Sequence, residues 1–151
     1  QKHPALKSGS LERGRNVLSK VKISGGGRCN VTHAEFEPKP LSSHYPRGQK
    51  ELLGPFHTFM TGDTMQWFEE RGVNLKIEED GRVFPESNSS QTIIDCFTSE
   101  ANKYNIDVLL NHSVQDISTS KGGWNYQHPR EYFVPKKYSL QQEVVQKYGH
   151  Y

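Results

Sequence analysis

The clearest hydrophobic pattern in the chain lies in its middle third. Residues 73–78 alternate three apolar with three polar side chains, which is the period of a half-buried strand. The Glu-Asp-Gly sequence at residues 79–81 is a hairpin signal. The apolar residues that follow predict a returning strand, which ends at Pro85. The pattern therefore predicts an antiparallel hairpin.

Helical patterns flank this hairpin on both sides. Before it, we expect a helix capped by Asp63, with Gln66 completing a capping box and Gly72 closing the helix at the C′ position. After it, Asn88 with Gln91 predicts a second capped helix. The apolar residues of this second helix fall on one face: Ile93, Ile94, Phe97, Ala101 and Tyr104.

Weaker patterns cover the rest of the chain. Residues 33–43 contain two prolines and are predicted as loop, while residues 50–60 have helical spacing interrupted at Gly54. Ser139 with Gln142 predicts a last short helix. Short apolar runs predict further strands at residues 107–110, 113–117 and 122–126. This mixture of strands and helices is typical of an α/β or α+β chain.

One glycine-rich stretch is different from these elements. A strand-like alternation at Val21 and Ile23 leads into three consecutive glycines, and Arg28 follows at once. Glycines lose much backbone freedom on folding, and a run of them is tolerated where the backbone takes φ > 0 or approaches another group closely. A flexible linker would be rich in Ser and Gly on both sides. We therefore favour a shaped loop facing a ligand over a plain turn.

Composition limits how large a core the chain can form. The 151 residues suggest one domain, but only 32% of them are hydrophobic, against about 45–50% in ordinary globular domains. The mean hydropathy is −0.82. We expect either a piece of a larger fold or a subunit ordered by other protein chains in a larger assembly. Because the sequence begins at Gln1, we also expect that residues upstream are missing from it.

Charge and cysteine content bear on partners and compartment. A net charge of +2 does not indicate a basic surface that would bind nucleic acid or an anionic membrane. No apolar run approaches the roughly 20 residues of a membrane span. Cys29 and Cys96 allow one disulfide but no disulfide framework. A reducing intracellular compartment is the easier interpretation, and the cytoplasm, mitochondrion and plastid all stay open.

Several kinds of chemistry can be weighed from residue types alone. Arg28 would favour the thiolate of Cys29, but we prefer Cys29 as a small packed residue. The sequence has no C-x-x-C or H-x-x-x-H spacing for a metal ion, and the glycines match neither a Walker A loop nor G-x-G-x-x-G. The acidic clusters at residues 69–70 and 78–80 are interpreted as solvated surface.

Four blocks of sequence, taken in order, resemble one family. They are SGGGRCNVT at residues 24–32, YPRG at 45–48, WFEERGV at 67–73 and EDGRVFP at 79–85. Their order and spacing resemble the BaiN-like (aminoacetone oxidase-like) family of NAD(P)/FAD-dependent oxidoreductases over residues 12–117.

This resemblance implies both a fold and a division of the chain. The fold would be α/β (or α+β), an incomplete fragment of a Rossmann-type FAD-binding flavoprotein with a strand hairpin and two or three helices. The chain would consist of an N-terminal arm at residues 1–11, a flavoprotein segment at 12–117 and a divergent tail at 118–151. The activity implied is hydride transfer between NAD(P)H and FAD, and no residue is identified as a catalytic acid or base.

The resemblance also implies a cofactor site. In the family, the strand before the glycine loop ends in an acidic residue that bonds the adenosine ribose, and Glu12 occupies the matching place. Backbone near Val114 would meet the adenine. The glycine loop of the family lies against the flavin, which would make a continuous group of residues cofactor-facing: Lys22, Ser24, Gly25, Gly26, Gly27, Arg28, Cys29, Asn30, Val31 and Thr32.

The chain also departs from the family pattern. It lacks G-x-G-x-x-G and the later Ala-Thr-Gly-Gly stretch, residues 1–10 show no obvious strand leading to Glu12, and residues 126–151 do not resemble the expected continuation. Loss of the pyrophosphate site would remove most FAD affinity. Three hypotheses stay open: a portion of a flavoenzyme, a structural subunit that has lost FAD, and a thiol-dependent enzyme that uses Cys29.

Overall fold

The structure is a computed structural model that describes residues 8–120, 123–127 and 132–135. Its strands and helices occur in the following order: β1 (Ser8–Leu11), α1 (Ser19–Gly27), β2 (Thr32–His33), α2 (Pro38–Ser43), α3 (Gln49–Phe56), α4 (Thr61–Glu69), β3 (Leu75–Ile77), β4 (Arg82–Pro85), α5 (Ser90–Lys103), β5 (Ile106–Leu109), β6 (Asp116–Ser120), β7 (Gly123–Gln127) and β8 (Tyr132–Pro135). The mixed α/β class expected from the sequence is confirmed.

The described residues form three small sheets. Strands β1 and β5 pair in parallel, with Leu11 opposite Leu109. Strand β4 lies between β2 and β3 in an antiparallel sheet, and β6, β7 and β8 form an antiparallel meander. Parallel strands need a long crossover connection. Here that connection is the whole stretch of sequence from α1 to α5, which follows β1 and precedes β5.

The core is centred on β4 and α5. Val83 and Phe84 of β4 have no solvent exposure, and Ile93 of α5, a helix that contacts β4, is also buried. A connected cluster of buried apolar residues links the end of the glycine stretch to α4 and α5: Cys29, Phe68, Val73, Ile93 and Cys96. The glycine stretch is therefore attached directly to the best-packed part of the molecule.

The predicted hairpin is confirmed. Strands β3 and β4 are antiparallel, with Ile77 opposite Val83, and the turn contains Gly81 with φ +80°. A side chain at position 81 would clash with the ring of His33, because an added Cβ would lie 2.6 Å from its Cε1 atom. Gly81 therefore serves both the turn and the close approach of β2.

Helix α4 ends as the sequence predicts but begins differently. The Gly72 amide bonds the Glu69 carbonyl, and the Val73 amide bonds the Phe68 carbonyl, which are the two hydrogen bonds of a Schellman motif with Gly72 at C′. Asp63, however, is the third residue of α4 rather than its cap. Its carboxylate accepts the backbone N–H of the residue before the helix at 2.8 Å.

Helix α5 is capped one residue later than predicted. The Ser89 hydroxyl accepts the Gln91 backbone N–H at 3.3 Å, whereas Asn88 has a left-handed φ of +54° and belongs to the preceding turn. Of the predicted apolar face, Ile93 and Ile94 are buried, but Phe97 and Tyr104 are exposed. The apolar face is therefore narrower than its sequence pattern indicates.

Three segments contradict the sequence prediction. The strand-like run ending at Ile23 is the first part of α1, and Ile23 itself is 76% exposed. Two apolar residues spaced by two are too few to distinguish a strand from one helical turn. Residues 38–43, predicted as loop, form α2, whose first position is suited to Pro38. Helix α3 continues through Gly54 rather than breaking there, and it packs on α2. Its Phe56 ring contacts the ring of Tyr45, which follows α2.

The later strands follow the prediction with shifted ends. Strand β5 matches residues 107–110, β6 begins only at Asp116, and β7 corresponds to residues 122–126. The helix predicted from Ser139 lies outside the described residues. In the described part of the chain, none of the helices is long and apolar enough to cross a membrane.

Candidate functional site

The three glycines form a left-handed turn, which we term the glycine turn (residues 25–27). Their φ angles are +55°, +67° and +83° for Gly25, Gly26 and Gly27. Ser24 before them is extended, with φ −65° and ψ 151°, so the right-handed part of α1 ends at this residue. This backbone accounts for the run of glycines, because other residues adopt it only with strain. The expected shaped loop is present, and its facing a ligand stays a prediction.

Hydrogen bonds within α1 close the glycine turn. The Cys29 amide bonds the Ser24 carbonyl at 3.0 Å across the turn, and the Ser24 hydroxyl donates to the Val21 carbonyl at 2.8 Å. The Lys22 carbonyl accepts the hydroxyl of Ser90, the first residue of α5, at 2.7 Å. Lys22 thus ties the start of the turn to α5, while Ser24 joins its two ends.

The two sides of the glycine turn have different surroundings. A Cβ added at Gly25 would lie 2.7 Å from the Asn30 backbone nitrogen and 2.9 Å from Cε1 of Phe84, so this side is packed against protein. At Gly26 no described atom lies within 4 Å of an added Cβ, and at Gly27 the nearest is a carbonyl oxygen at 3.9 Å. The residues fit a cofactor that approaches the bare backbone of Gly26 closely.

Arg28 connects the glycine turn to the hairpin. Its Nη1 atom bonds Glu78 Oε1, its Nη2 atom lies 3.5 Å from Glu78 Oε2, and its guanidinium carbon lies 3.9 Å from the centre of the Phe84 ring. Both partners of the ion pair are less than a third exposed. The interpretation of Glu78 as solvated surface is therefore wrong, because its carboxylate is held by a residue fifty positions earlier.

The residues after Arg28 are bound to the protein. Cys29 is buried with a free thiol and a left-handed φ of +61°, which agrees with the packed-residue interpretation. The side-chain oxygen of Asn30 accepts the Val83 amide at 3.2 Å, and the Val31 amide donates to the Val83 carbonyl at 2.8 Å. Thr32 pairs with the same residue of β4. These contacts fix the exit of the glycine turn on β4.

At the hairpin tip, Arg82 pairs with two acidic residues. Arg82 Nε lies 2.7 Å from Asp80 Oδ2, and Arg82 Nη2 lies 3.8 Å from Glu78 Oε2. The Arg82 backbone N–H donates a hydrogen bond to the exposed Asp80 carboxyl, and the Arg82 side chain adds a hydrogen bond and a positive charge. These interactions hold the pKa of Asp80 below its ordinary value. Among the described residues, no three His, Cys, Asp or Glu side chains come together as metal ligands.

A second group of candidate residues lies at the carboxyl ends of β1 and β5. Glu12 directly follows β1, which supplies the strand that the family resemblance required. Its backbone bonds Leu109 and His112 at 2.9 Å each, and its carboxylate accepts the Gly14 amide at 2.7 Å. Val114 follows on the same segment and is half-buried. This edge of a parallel sheet is where α/β folds bind ligands.

The structure thus brings the candidate residues together in two groups. Glu12 and the segment leading to Val114 lie side by side at the parallel pair, whereas the glycine turn is packed on β4 of the antiparallel sheet. Residue types alone missed Glu78 and Phe84 as neighbours of the turn. The one signal for them in the sequence was that both lie within or beside the EDGRVFP block.

Comparison with known proteins identifies the family. The sequence profile of the HI0933-like protein Rossmann domain matches residues 4–136. The chain belongs to this family. Its members are FAD-dependent oxidoreductases and include the BaiN-like proteins, so the resemblance noted from the sequence is confirmed. The match extends beyond residues 12–117 on both sides, while the division into arm, flavoprotein segment and tail stays a prediction.

Individual relatives of this HI0933-like chain are distant. It is 28% identical to a ribosomal RNA dihydrouridine synthase of Haemophilus influenzae over 107 residues, which are 71% of this chain and 26% of the relative. It is 27% identical to the Escherichia coli protein of that name, over 76% of this chain and 28% of the relative. It is 22% identical to a 3-dehydro-bile acid delta(4,6)-reductase of Clostridium scindens, over 76% and 27%. The chain spans about a quarter of the length of these relatives.

Proposed function

We propose that this chain forms part of an FAD site, and that the flavoprotein it belongs to transfers hydride between NAD(P)H and FAD. Membership of a family of FAD-dependent oxidoreductases supports the proposal. The observation that carries it is the glycine turn, whose backbone is packed at Gly25 and open at Gly26. FAD supplies the redox chemistry when bound, because its isoalloxazine ring accepts and releases hydride.

In this proposal the residues have separate tasks. The glycine turn presents side-chain-free backbone to the planar ring, since successive amide groups in such turns suit polar and anionic edges. Glu12 accepts a hydrogen bond from the adenosine ribose at the carboxyl edge of β1, and backbone near Val114 lies beside the adenine. The sequence contains no G-x-G-x-x-G, so the proposal assigns no pyrophosphate contact to these residues.

The substrate is left unassigned by the relatives. Two of them are named for ribosomal RNA and one for a bile acid, and identity to each is below 30%. Because these names designate different substrates, the proposal stops at the cofactor chemistry that the family shares.

Substitution of one glycine tests the cofactor site. In Gly26→Asn the added side chain enters the open space at the turn, and Asn tolerates left-handed backbone better than most residues. We expect FAD affinity to fall by about tenfold or more, since ring and side chain compete for one volume. Titration of the purified protein with FAD, followed by flavin fluorescence, measures the effect.

Gly72→Asn is the matched control for this experiment. Gly72 also has a left-handed φ, +75°, with no described atom within 4 Å of an added Cβ, but it lies at the end of α4. Its substitution is expected to leave FAD affinity unchanged. Equal affinities of the wild-type protein and Gly26→Asn for FAD would disprove the assignment of the glycine turn to the cofactor.

A second candidate function is a non-catalytic, flavoprotein-derived subunit of a larger protein assembly. It is favoured by the low apolar content and by exposed apolar side chains, including Ile23, Phe36 and Phe59. This candidate predicts that the protein binds no FAD and elutes from size-exclusion chromatography with other chains.

A further inference from the structure

The contact between Glu78 and Arg28 joins two elements that are distant in sequence. Arg28 directly follows the glycine turn, and Glu78 directly follows β3 at the start of the hairpin turn. The carboxylate faces the guanidinium with both oxygens, each near a different Nη atom. Since the two side chains are only 31% and 27% exposed, water screens this pair less than it screens an ordinary surface pair.

Phe84 connects the ion pair to the glycine turn. The Arg28 guanidinium lies over its ring at 3.9 Å, within the range of a cation–π contact, and the edge of the same ring closes the space beside Gly25. The ring is fully buried. Arg28, Phe84 and Gly25 therefore pack in one layer, and Glu78 holds its outer member.

A run of three glycines has little intrinsic preference for one shape. Glycine populates left-handed and right-handed backbone about equally, and it loses the most conformational freedom on folding. The left-handed shape must therefore be selected by neighbouring contacts. The series of contacts from Glu78 through Arg28 to Phe84, which we term the arginine clamp, is attached directly to the C-terminal end of the turn.

We propose that Glu78 is a positioning residue for the flavin site, which acts through Arg28 to hold the glycine turn in its left-handed shape. The inference rests on the proposed function of the turn. Glu78 itself does not contact the cofactor in this scheme. It orders the backbone that contacts the cofactor before FAD binds. FAD binding is then not weakened by the entropy cost of ordering the glycines.

Two variants test the clamp. Glu78→Gln keeps the size of the side chain and removes its charge, and Glu79→Gln makes the same change at the exposed neighbouring residue. We expect Glu78→Gln to accelerate amide hydrogen exchange at residues 25–27 by about tenfold, the scale of one charged hydrogen bond, and to weaken FAD binding by a similar factor. Glu79→Gln is expected to change neither quantity.

A charge exchange separates the ion pair from general damage to the hairpin. The double variant Glu78→Arg with Arg28→Glu restores opposite charges at the two positions, while Arg82, whose Nη2 atom lies 3.8 Å from Glu78 Oε2 in the wild-type protein, then faces a like charge. We expect it to recover part of the lost protection at the glycine turn, whereas each single reversal places like charges together and recovers none. Circular dichroism checks that every variant is folded.

The readouts distinguish this inference from the proposed function. Unchanged exchange at residues 25–27 in folded Glu78→Gln overturns the clamp, whatever FAD does. Faster exchange with unchanged FAD affinity overturns the positioning role. If the wild-type protein binds no FAD under conditions where the exchange effect is present, the proposed function has failed, and the positioning role fails with it.

Discussion

At the scale of the residue, the three glycines of the turn are needed for different reasons. All three have left-handed backbone, which costs other residues strain. Gly25 additionally has no space for a side chain, because a backbone nitrogen and a buried ring lie within 3 Å of an added Cβ. Gly26 has that space, and in the proposed function its bare backbone faces the cofactor. A single sequence motif therefore combines a packing requirement with a proposed binding requirement.

Alanine at each of the first two glycines should separate these requirements. Gly26→Ala introduces only backbone strain, about 1–2 kcal/mol. Gly25→Ala adds a clash with the Asn30 nitrogen and the Phe84 ring, worth a further ~1–3 kcal/mol. Urea denaturation should therefore show the larger loss of unfolding free energy for Gly25→Ala, and equal losses for the two variants would contradict the packing described for this turn.

At the scale of the element, the ends of helices α4 and α5 are joined by one arginine. Arg71 Nε lies 2.8 Å from Glu100 Oε2, its Nη1 atom donates to the Trp67 carbonyl at 2.8 Å, and its guanidinium lies 3.9 Å from the Trp67 ring centre. Burial raises the pKa of the Glu100 carboxyl, but hydrogen bonds and charges from Arg71 and Lys103 lower it more. The pKa of Glu100 therefore lies below its ordinary value.

This lowered pKa makes the α4–α5 contact sensitive to acid. A carboxylate with a lowered pKa in the folded state stabilises the protein above its ordinary pKa of about 4.3, and the contribution is lost as pH falls through the lowered value. We expect wild-type protein to exceed Glu100→Gln in stability near neutral pH, with the difference shrinking below about pH 4. Thermal unfolding at several pH values measures it.

Glu69→Gln provides the comparison for the acid experiment. Glu69 is an exposed residue near the end of α4, and its substitution should leave the pH dependence of the melting temperature close to that of the wild-type protein. A difference between wild type and Glu100→Gln that stays constant from neutral to acid pH would show that the Glu100 charge has no role in the contact.

At the scale of the whole molecule, one strand and one helix organise the described core. The three residues 83–85 of β4 are all buried, although apolar residues are scarce in the chain. The hairpin, the glycine turn and α5 all contact this strand or its neighbours in the core. Loss of a large side chain from β4 should therefore affect all of these elements together.

Truncation of two phenylalanines tests this organisation. Phe84→Ala removes a ring with no solvent exposure and should reduce the unfolding free energy by about 3–5 kcal/mol. Phe59→Ala makes the same chemical change at a ring that is 53% exposed, and should cost no more than about 1 kcal/mol. Chemical denaturation compares them, and similar costs would mean that β4 is not the centre of the core.

Much of the fold could be predicted from neighbouring residues. The alternation at residues 73–78 with Gly81 specified the hairpin, and Gly72 specified the end of α4. The predicted element types and helix starts were wrong where only one or two residues carried the sequence pattern. A Ser next to an Asn left the cap of α5 ambiguous by one position, and two apolar residues before the glycines were compatible with either a strand or a helix.

The family and the shaped glycine turn were likewise accessible from the sequence. The SGGGRCNVT block predicted the turn, because a run of three glycines is tolerated where the backbone takes positive φ or approaches another group closely. Together with the three later blocks it also resembled the family that the sequence profile matches. The partners of the turn were not accessible. Glu78 has the sequence context of a solvated hairpin charge, and nothing near it indicates Arg28.

The sequence by itself determined the hairpin, the two main helices, the need for glycines in a shaped turn and the family. The hairpin, the helices and the turn depend on residues within a few positions of one another, where periodicity and turn chemistry leave a readable pattern. The family follows from four short blocks taken in order. Only the tertiary structure decided the parallel pairing of β1 with β5, the packing of Gly25 on Phe84 and the clamp of Arg28 by Glu78. Those contacts join segments separated by fifty or more residues, and they form because chain closure and burial bring the segments together, which leaves no local trace.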